Sequence, residues 1–477
     1  MAPEVVDVVV VGAGISGLRA AGLLQRAGFS TVVLEARSRV GGKILTSDRE
    51  PGMTIRQEYG AAWINDTTQD RIWALAKEFG LTPVIANSEG KVVAQDFGGN
   101  CVEFMYGNTP EYSSSVDSEA CVALRDLVEK ITTQNDGPLQ SAASRKELDG
   151  ISFEAWLAKA TNHNDRACAT GKVWTHAIIG CDPGEVSALF FLDYLHAGLG
   201  MMSIRSDKKD GGQYMRIAEG ISAFPERLAQ QLKPGSLRLE SPVESIREIP
   251  GSGLTCVTIK GSRGVSCLAK RVIVSVASPV YRTIDFSPRL SPAKKTYVNS
   301  TRYSGYVKCL AVFKEPFWEA NGYCGLAQSF TGPASVFRDT AVERGDNKKD
   351  YALTCFICGN YARSWSAMST EQQHKKILEQ ISLLFNHGRD VTPLFVTALQ
   401  STWGDEQYNG WGCPIPTLGP GVFNECFDAF AAPEGNLHFI GNETATRWRG
   451  YLDGALRTAE RGVAEVTLAL SKGKAAL

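Results

Sequence analysis

The sequence predicts an α/β fold in which a parallel, doubly wound sheet is interleaved with a second, α+β unit. Three observations carry this expectation. A β-branched run, Asp7 to Val11, leads straight into Gly12-Ala13-Gly14-Ile15-Ser16-Gly17. A helical pattern from Leu18 follows, and the next apolar run, Thr31 to Glu35, ends in an acidic residue 21 positions after Gly14. Much later the chain returns to the same strand-then-glycine pattern at Asn436 to Thr444. A glycine triplet alone is a weak signal. Set between a strand and a helix, with an acid closing the following strand, it marks a Rossmann-type dinucleotide site.

Each position in the first segment has a physical use. Gly12 permits the tight turn, Gly14 lets a pyrophosphate approach bare backbone, and Gly17 lets helix and strand pack closely. Ser16 lies in the first helical turn, where free N–H groups and the positive dipole end favour phosphate. Glu35 is placed to accept the ribose hydroxyls. The next residues, Glu35-Ala36-Arg37-Ser-Arg-Val-Gly41-Gly42-Lys43, resemble the E-A-R-x-R-x-G-G-R signature of FAD-binding flavoprotein oxidases. Arg37 and Lys43 are the expected cationic partners of the phosphates. Lys43 stands where the signature has arginine, so a point charge replaces a bidentate fork. Glu58-Tyr-Gly60-Ala61-Ala62-Trp63 resembles the segment that lies along a flavin ring, where small residues let the backbone pass.

Two further returns to the cofactor are expected. One is a strand over Leu237 to Val243, with Val243 implied by the resemblance to meet the adenine through its backbone, and a buried strand at Arg271 to Ala277. The other is Gly441-Asn442-Glu443, followed by Trp448-Arg-Gly-Tyr451-Leu452, which opens the last helix. The expected cofactor-binding domain is therefore 1–80, 211–288 and 403–477. A substrate-binding domain is expected from 81–210, read as helical, and 289–402, with strands at Tyr306 to Phe313 and Tyr351 to Ile357 and a helix near Thr370 to Phe385. Asp346 to Asp350 reads as a solvated charged loop.

Three clusters together resemble the monoamine oxidase-like branch of the flavin-containing amine oxidases, over nearly the whole chain and in family order. The resemblance implies a Rossmann-type FAD-binding domain of the glutathione reductase-like kind beside an α+β substrate domain. In the first cluster, Gly305 to Trp318, Lys308 matches a lysine that holds a water beside the flavin, where a cation stabilises charge passing to oxygen. The second runs from Trp403, taken as catalytic, to Gly421. Counting back from Pro420-Gly421 sets Cys413 on the family cysteine bonded to the flavin, so covalent FAD is implied. Amine-oxidising relatives follow that cysteine with a tyrosine facing a second tyrosine. Here the first position is Pro414 and the second is Tyr451, leaving a one-walled cage suited to a bulkier, more rigid substrate. The third cluster, Gly184 to Leu195, resembles a cavity-lining helix, with Phe190, Phe191 and Tyr194 open between core and pocket.

Composition narrows the rest. Apolar residues at 43% and charged residues at 21% exclude a disordered or coiled-coil chain. Fifty Lys and Arg against 51 Asp and Glu give a net charge of −1, with no footprint for nucleic acid. Forty-seven glycines in 477 residues exceed the usual share of about 7%, as expected where backbone must meet a ligand. Twelve scattered cysteines read as reduced thiols, and Cys355 and Cys358 lie in a strand-like run rather than a zinc site. No metal cluster, carboxylate pair or Ser–His–Asp set is found, and no apolar stretch reaches a membrane-spanning length. A cytoplasmic monomer or homodimer is expected, with a peroxisome as the alternative because Ala475-Ala-Leu477 echoes the Ser-Lys-Leu address. The expected reaction is FAD-dependent hydride removal from the carbon next to nitrogen in an amine, with O2 giving H2O2. The alternative is a ring-closing oxidation of an indole alkaloid, similar to the fungal oxidocyclase acting on β-cyclopiazonate.

Overall fold

The computed structural model describes residues 4–261, 267–343, 349–401 and 403–475. The strand Glu4–Val11 sits inside an eight-stranded sheet, parallel to Cys267–Val274 on one side and to Thr31–Leu34 on the other. Val9 faces Val272 in the first pairing and Val32 in the second. Val8, Val9 and Val10 are fully buried, as expected for a parallel strand covered on both faces. Leu237–Arg238 extends the sheet beyond Thr31–Leu34, and Leu437–Phe439 pairs parallel with Cys267–Val274. Helices Ile15–Arg26 and Leu452–Ala475 pack on this sheet and on each other. Their apolar faces share one core through Leu18, Ala21, Leu456 and Ala459.

A second eight-stranded sheet runs Phe395–Gln400, Tyr306–Phe313, Lys349–Cys358, Val336–Asp339, Tyr323–Ser329, Lys91–Gln95 and Cys101–Met105, with Val342–Glu343 paired onto Lys349–Cys358. Helices Ser115–Thr133, Phe153–Ala160, Asp165–Ile179 and Ala188–Ala197 pack together beside it. Each starts at a serine or asparagine whose side chain accepts a backbone N–H of the first turn.

Several elements differ from expectation for identifiable reasons. The strand expected over Leu237 to Val243 divides into Leu237–Arg238 and Val243–Ile249. Between them Glu240 takes φ +51°, and the N–H groups of Glu240 and Ser241 donate to the carbonyls of Arg37 and Glu35. The loop at Glu240 thus captures hydrogen bonds that a continuous strand would have used. Segment 81–210, expected to be helical, also supplies three strands, and Lys91–Gln95 is buried at four of its five positions. The last helix begins at Leu452 rather than Trp448, because Trp448 and Gly450 hold positive φ. Of the charged loop expected at Asp346 to Asp350, residues 346–348 lie outside the described residues, as do the last two of the C-terminal tripeptide. Lys349 and Asp350 already belong to a strand, and buried Asp350 accepts the Arg56 N–H at 2.9 Å. No helix among the described residues is long and apolar enough to cross a membrane.

One buried ion set ties the helical layer to the turn before the last helix. Asp193, on Ala188–Ala197, accepts from Arg449 at 2.7 Å and from Arg145 at 3.1 Å. Burial by itself would raise the Asp193 carboxyl, and the two guanidinium groups overcome it and hold it below its ordinary value. A depressed carboxylate stabilises the fold above its unfolded pKa of about 3.9 and loses that contribution as pH falls through the folded value. Asp193→Ala leaves Arg449, only 3% exposed, without its carboxylate. It is expected to cost about 3–5 kcal/mol in urea unfolding at neutral pH, with much of the difference from the parent disappearing in acid.

Candidate active site

A single cavity of about 650 Å3 runs from the glycine-rich turn to the second sheet, within the usual size of ligand sites. At one end the strand Glu4–Val11 stops at Gly12, whose φ of +99° excludes most other residues. A Cβ on Gly17 would collide with the Gly12 carbonyl, so helix and turn touch there. A Cβ on Gly14 would meet nothing within 4 Å. Gly14 also caps helix Ile15–Arg26 with no side chain in the way, leaving first-turn N–H groups for an anion. Gly41 and Gly42 line the same end. This cradle of bare backbone and helix terminus is the chemistry a dinucleotide pyrophosphate requires, so the residues present fit FAD.

The side chains around the cradle are engaged in detail. Glu35, 6% exposed, accepts the Ala13 N–H at 2.7 Å and the Arg37 N–H at 3.0 Å, fixing both loops while lining the cavity. Ser16 lines it as well, with its hydroxyl donated to the Ala455 carbonyl at 2.9 Å. Arg37 donates to the Gly42 carbonyl at 3.1 Å and pairs with Glu406 at 3.2 Å. Lys43 departs from expectation. Its ammonium hydrogen-bonds the Tyr303 hydroxyl and lies 3.5 Å from the Pro414 carbonyl. Burial pushes its pKa down, against the pull of Cys413 and Glu443. A buried ammonium takes the nearest oxygen partners, and these lie beside Cys413.

Gly60, Ala61, Ala62 and Trp63 line the middle of the cavity. A Cβ on Gly60 would strike the Lys43 carbonyl. Two side chains hold this segment from outside. Lys308, 2% exposed on strand Tyr306–Phe313, donates to the carbonyls of Glu58 at 2.9 Å and Gly60 at 2.7 Å while lining the cavity. Burial lowers the Lys308 pKa and raises that of the neighbouring Glu58. Trp403 does not line the cavity. Its indole N–H donates to the Tyr59 carbonyl at 2.9 Å and its ring lies 3.2 Å from a Cβ built on Gly60, so it supports the segment from behind. Ala36, Gly17 and Val243 are also outside the lining, and Val243 pairs with Ile259 in the sheet. Gly441, Asn442, Glu443, Tyr451 and Leu452 complete this lining. One Glu443 oxygen accepts the Ser278 N–H at 3.0 Å, and the other is buried without a partner among the described residues.

Cys413 is 7% exposed and lines the cavity, its thiol pKa raised by burial against the pull of Lys43 and Lys308. Beyond it stand Tyr194, Tyr306 and Tyr451, with the rings of Tyr194 and Tyr451 6.4 Å apart. Of the three aromatics left open, Tyr194 faces the cavity, whereas Phe190 and Phe191 pack into the core against Phe423 and Phe153. No motif pointed to Tyr306 as a wall. A Cβ on Gly180 would touch both its ring and Pro414, so tyrosine and proline stand side by side where the one-walled cage was expected. Arg205 and Arg338 also line this end, unflagged by any motif.

The fold also assembles a Ser–His–Asp chain where none was expected. His176 Nδ1 lies 2.7 Å from Ser335 and Nε2 lies 2.9 Å from Asp182. All three are buried, and none lines the cavity. They join helix Asp165–Ile179 to the second sheet and have no access to a substrate. Among the described residues no group of three His, Cys, Asp or Glu could hold a metal ion.

Known proteins resemble the chain in sequence and in fold. The chain is 30% identical over 466 residues to a flavin-containing amine oxidase of Oncorhynchus mykiss, covering 96% of this chain and 85% of that protein. It is 28% identical to flavin-containing amine oxidase B of Homo sapiens, covering 98% and 87%. In fold it is similar to cyclohexylamine oxidase from Brevibacterium oxydans, with TM-score 0.87, 23% identity and coverage of 98% of this chain and 99% of that one. A mutant of putrescine oxidase, redesigned in its cofactor binding, aligns equally well, with TM-score 0.87, 23% identity and the same coverage. Residues 15–467 match the family described as flavin containing amine oxidoreductase, and the chain belongs to that family.

Proposed function

We propose that this chain is an FAD-dependent oxidase that removes hydride from the carbon next to nitrogen in an amine. Bound FAD would take up the hydride and pass the electrons to O2, leaving an imine and H2O2. The observation that supports this best is the continuity of the cavity, which joins a glycine cradle to a tyrosine-walled pocket across Lys308 and Cys413. Residues 1–80, 211–288 and 403–477 would form the cofactor domain, with 81–210 and 289–402 the substrate domain.

The chain's own residues have limited but definite work. Tyr194, Tyr306 and Tyr451 exclude water and orient the substrate between flat apolar faces. Burial raises all three phenols above their ordinary value, so they remain protonated at neutral pH and serve as no base. No carboxylate lines this end. The amine must therefore reach the cavity already neutral. Lys308 keeps a positive charge at the middle segment, where electrons leaving for oxygen are stabilised by a fixed cation. Cys413, buried at the cavity wall, would carry a thioether to the cofactor. The second reading is a rigid polycyclic amine that closes a ring on oxidation, with Pro414 rather than a further aromatic ring at the pocket wall beside Tyr306.

Mixing the holoenzyme with amines in the absence of oxygen is expected to bleach the flavin absorbance; no bleaching by any amine or indole alkaloid would falsify the main reading. Product mass lower by two hydrogens with a new ring would select the second one. The logarithm of kcat/KM should rise with pH up to the pKa of the free amine, and Tyr451→Phe should leave that rise in place. Denatured protein should keep its yellow colour, and Cys413→Ala should release it as free FAD; colour lost from the unmodified chain would exclude the thioether. Lys308→Met is expected to slow reoxidation by O2 about 10²-fold in stopped flow while leaving anaerobic bleaching much less affected.

A further inference from the structure

The charged groups along the cavity are unevenly divided. Its two lining carboxylates, Glu35 and Glu443, lie at the cofactor end. The substrate end is lined by Arg125, Arg205, Lys208 and Arg338, with no carboxylate among its lining residues. Three of these cations are accounted for. Arg125 pairs with Asp126 at 2.7 Å. Arg338 pairs with Asp207, whose other oxygen accepts the Tyr106 hydroxyl at 2.9 Å. Lys208 is exposed, 5.4 Å over the Tyr106 ring.

Arg205 is different. It ends the short helix Met201–Arg205 and is partly buried at the cavity wall. Among the described residues its guanidinium has no carboxylate, carbonyl or hydroxyl partner, and it lies 5.5 Å over the Trp174 ring. Burial, with Arg338 adding to it, pushes its pKa down to about 10, so it is fully charged at neutral pH. A guanidinium carries five N–H donors in a planar fork, matched to a carboxylate. Those donors open onto the cavity, where a ligand's anionic oxygens can take the place of water as acceptors. Arg205 and the exposed Lys208, which have no carboxylate partner among the described residues, also repel an ammonium and attract an anion.

We propose that Arg205 receives an anionic oxygen group of the substrate, a carboxylate in its simplest form. Resting on the amine-oxidase reading, this makes the preferred substrates amines that carry an acidic group remote from the oxidised C–N bond. Arg338, held by Asp207, adds field without offering its fork. Trp174 and Tyr106 border the site and give the rest of such a molecule an apolar bed.

The test is a pair of non-reacting probes of equal shape, 3-phenylpropionate and 3-phenylpropanamide, titrated into the holoenzyme and followed through the flavin absorbance. The acid is expected to bind at least about tenfold more tightly than the amide, and the preference to collapse in Arg205→Met and persist in part in Arg205→Lys. An amide that binds as tightly as the acid overturns the proposal, as does an acid preference that Arg205→Met leaves intact. Should Arg205→Met fail to fold, Arg205→Lys decides, and an acid preference that it leaves undiminished overturns the proposal. Failure of the amine-oxidase reading is seen separately, as no flavin bleaching by any amine. Equal acid and amide binding with vigorous amine oxidation would remove the anion site and leave the reaction standing.

Discussion

The ammonium of Lys308 ties the second sheet to the segment Glu58 to Gly60 at the cavity wall. It belongs to a strand of the second sheet, and the carbonyls it holds, those of Glu58 and Gly60, belong to the segment following the first sheet's opening strands. Among the described residues no carboxylate pairs with it directly; two carbonyls accept its hydrogen bonds, and burial lowers its pKa. Such a group survives burial only if its hydrogen bonds are made, so the strand and the segment must keep their relative position. Trp403 fixes the same segment through Tyr59. The glycine at position 60 follows from this, since backbone held so close to Lys43 leaves no room for a Cβ there.

A second tie sets the opposite wall. Asp193 carries Arg449 on one side and Arg145 on the other, which binds helix Ala188–Ala197 to the turn leading into the last helix. Tyr194 is the next residue on that helix, and Tyr451 lies two residues beyond Arg449. Their facing rings are therefore positioned by an ion set that touches no substrate. Rigidity of this kind allows neutral phenols to shape a pocket without acting as acids or bases.

Much of the fold could be read from local pattern. The strand–glycine–helix opening, the strand Tyr306–Phe313 and the helix Thr370–Phe385 are fixed by periodicity and capping over a few residues. The strand Lys91–Gln95 could not be read in this way, because its place depends on pairing with Tyr323–Ser329, more than 200 residues distant. The break near Glu240 likewise depends on carbonyls of Glu35 and Arg37. Site residues divide on the same line. Glycines and the Glu35 acid announce themselves through spacing, whereas Tyr306, Arg205 and the buried His176 chain acquire meaning only from neighbours brought by other elements.

By itself the sequence determined the glycine cradle, its helix and the order of the glycine-rich segments that line the cavity, because backbone clearance and helix-end polarity act over a few adjacent residues. Tertiary structure alone decided that Lys43 turns to Tyr303, that Trp403 stands behind the wall, and that Pro414 stands beside Tyr306. It also decided that Arg205 is left without a partner among the described residues. Those outcomes rest on burial and on which oxygen lies nearest a buried charge, quantities that exist only after distant strands and helices have packed.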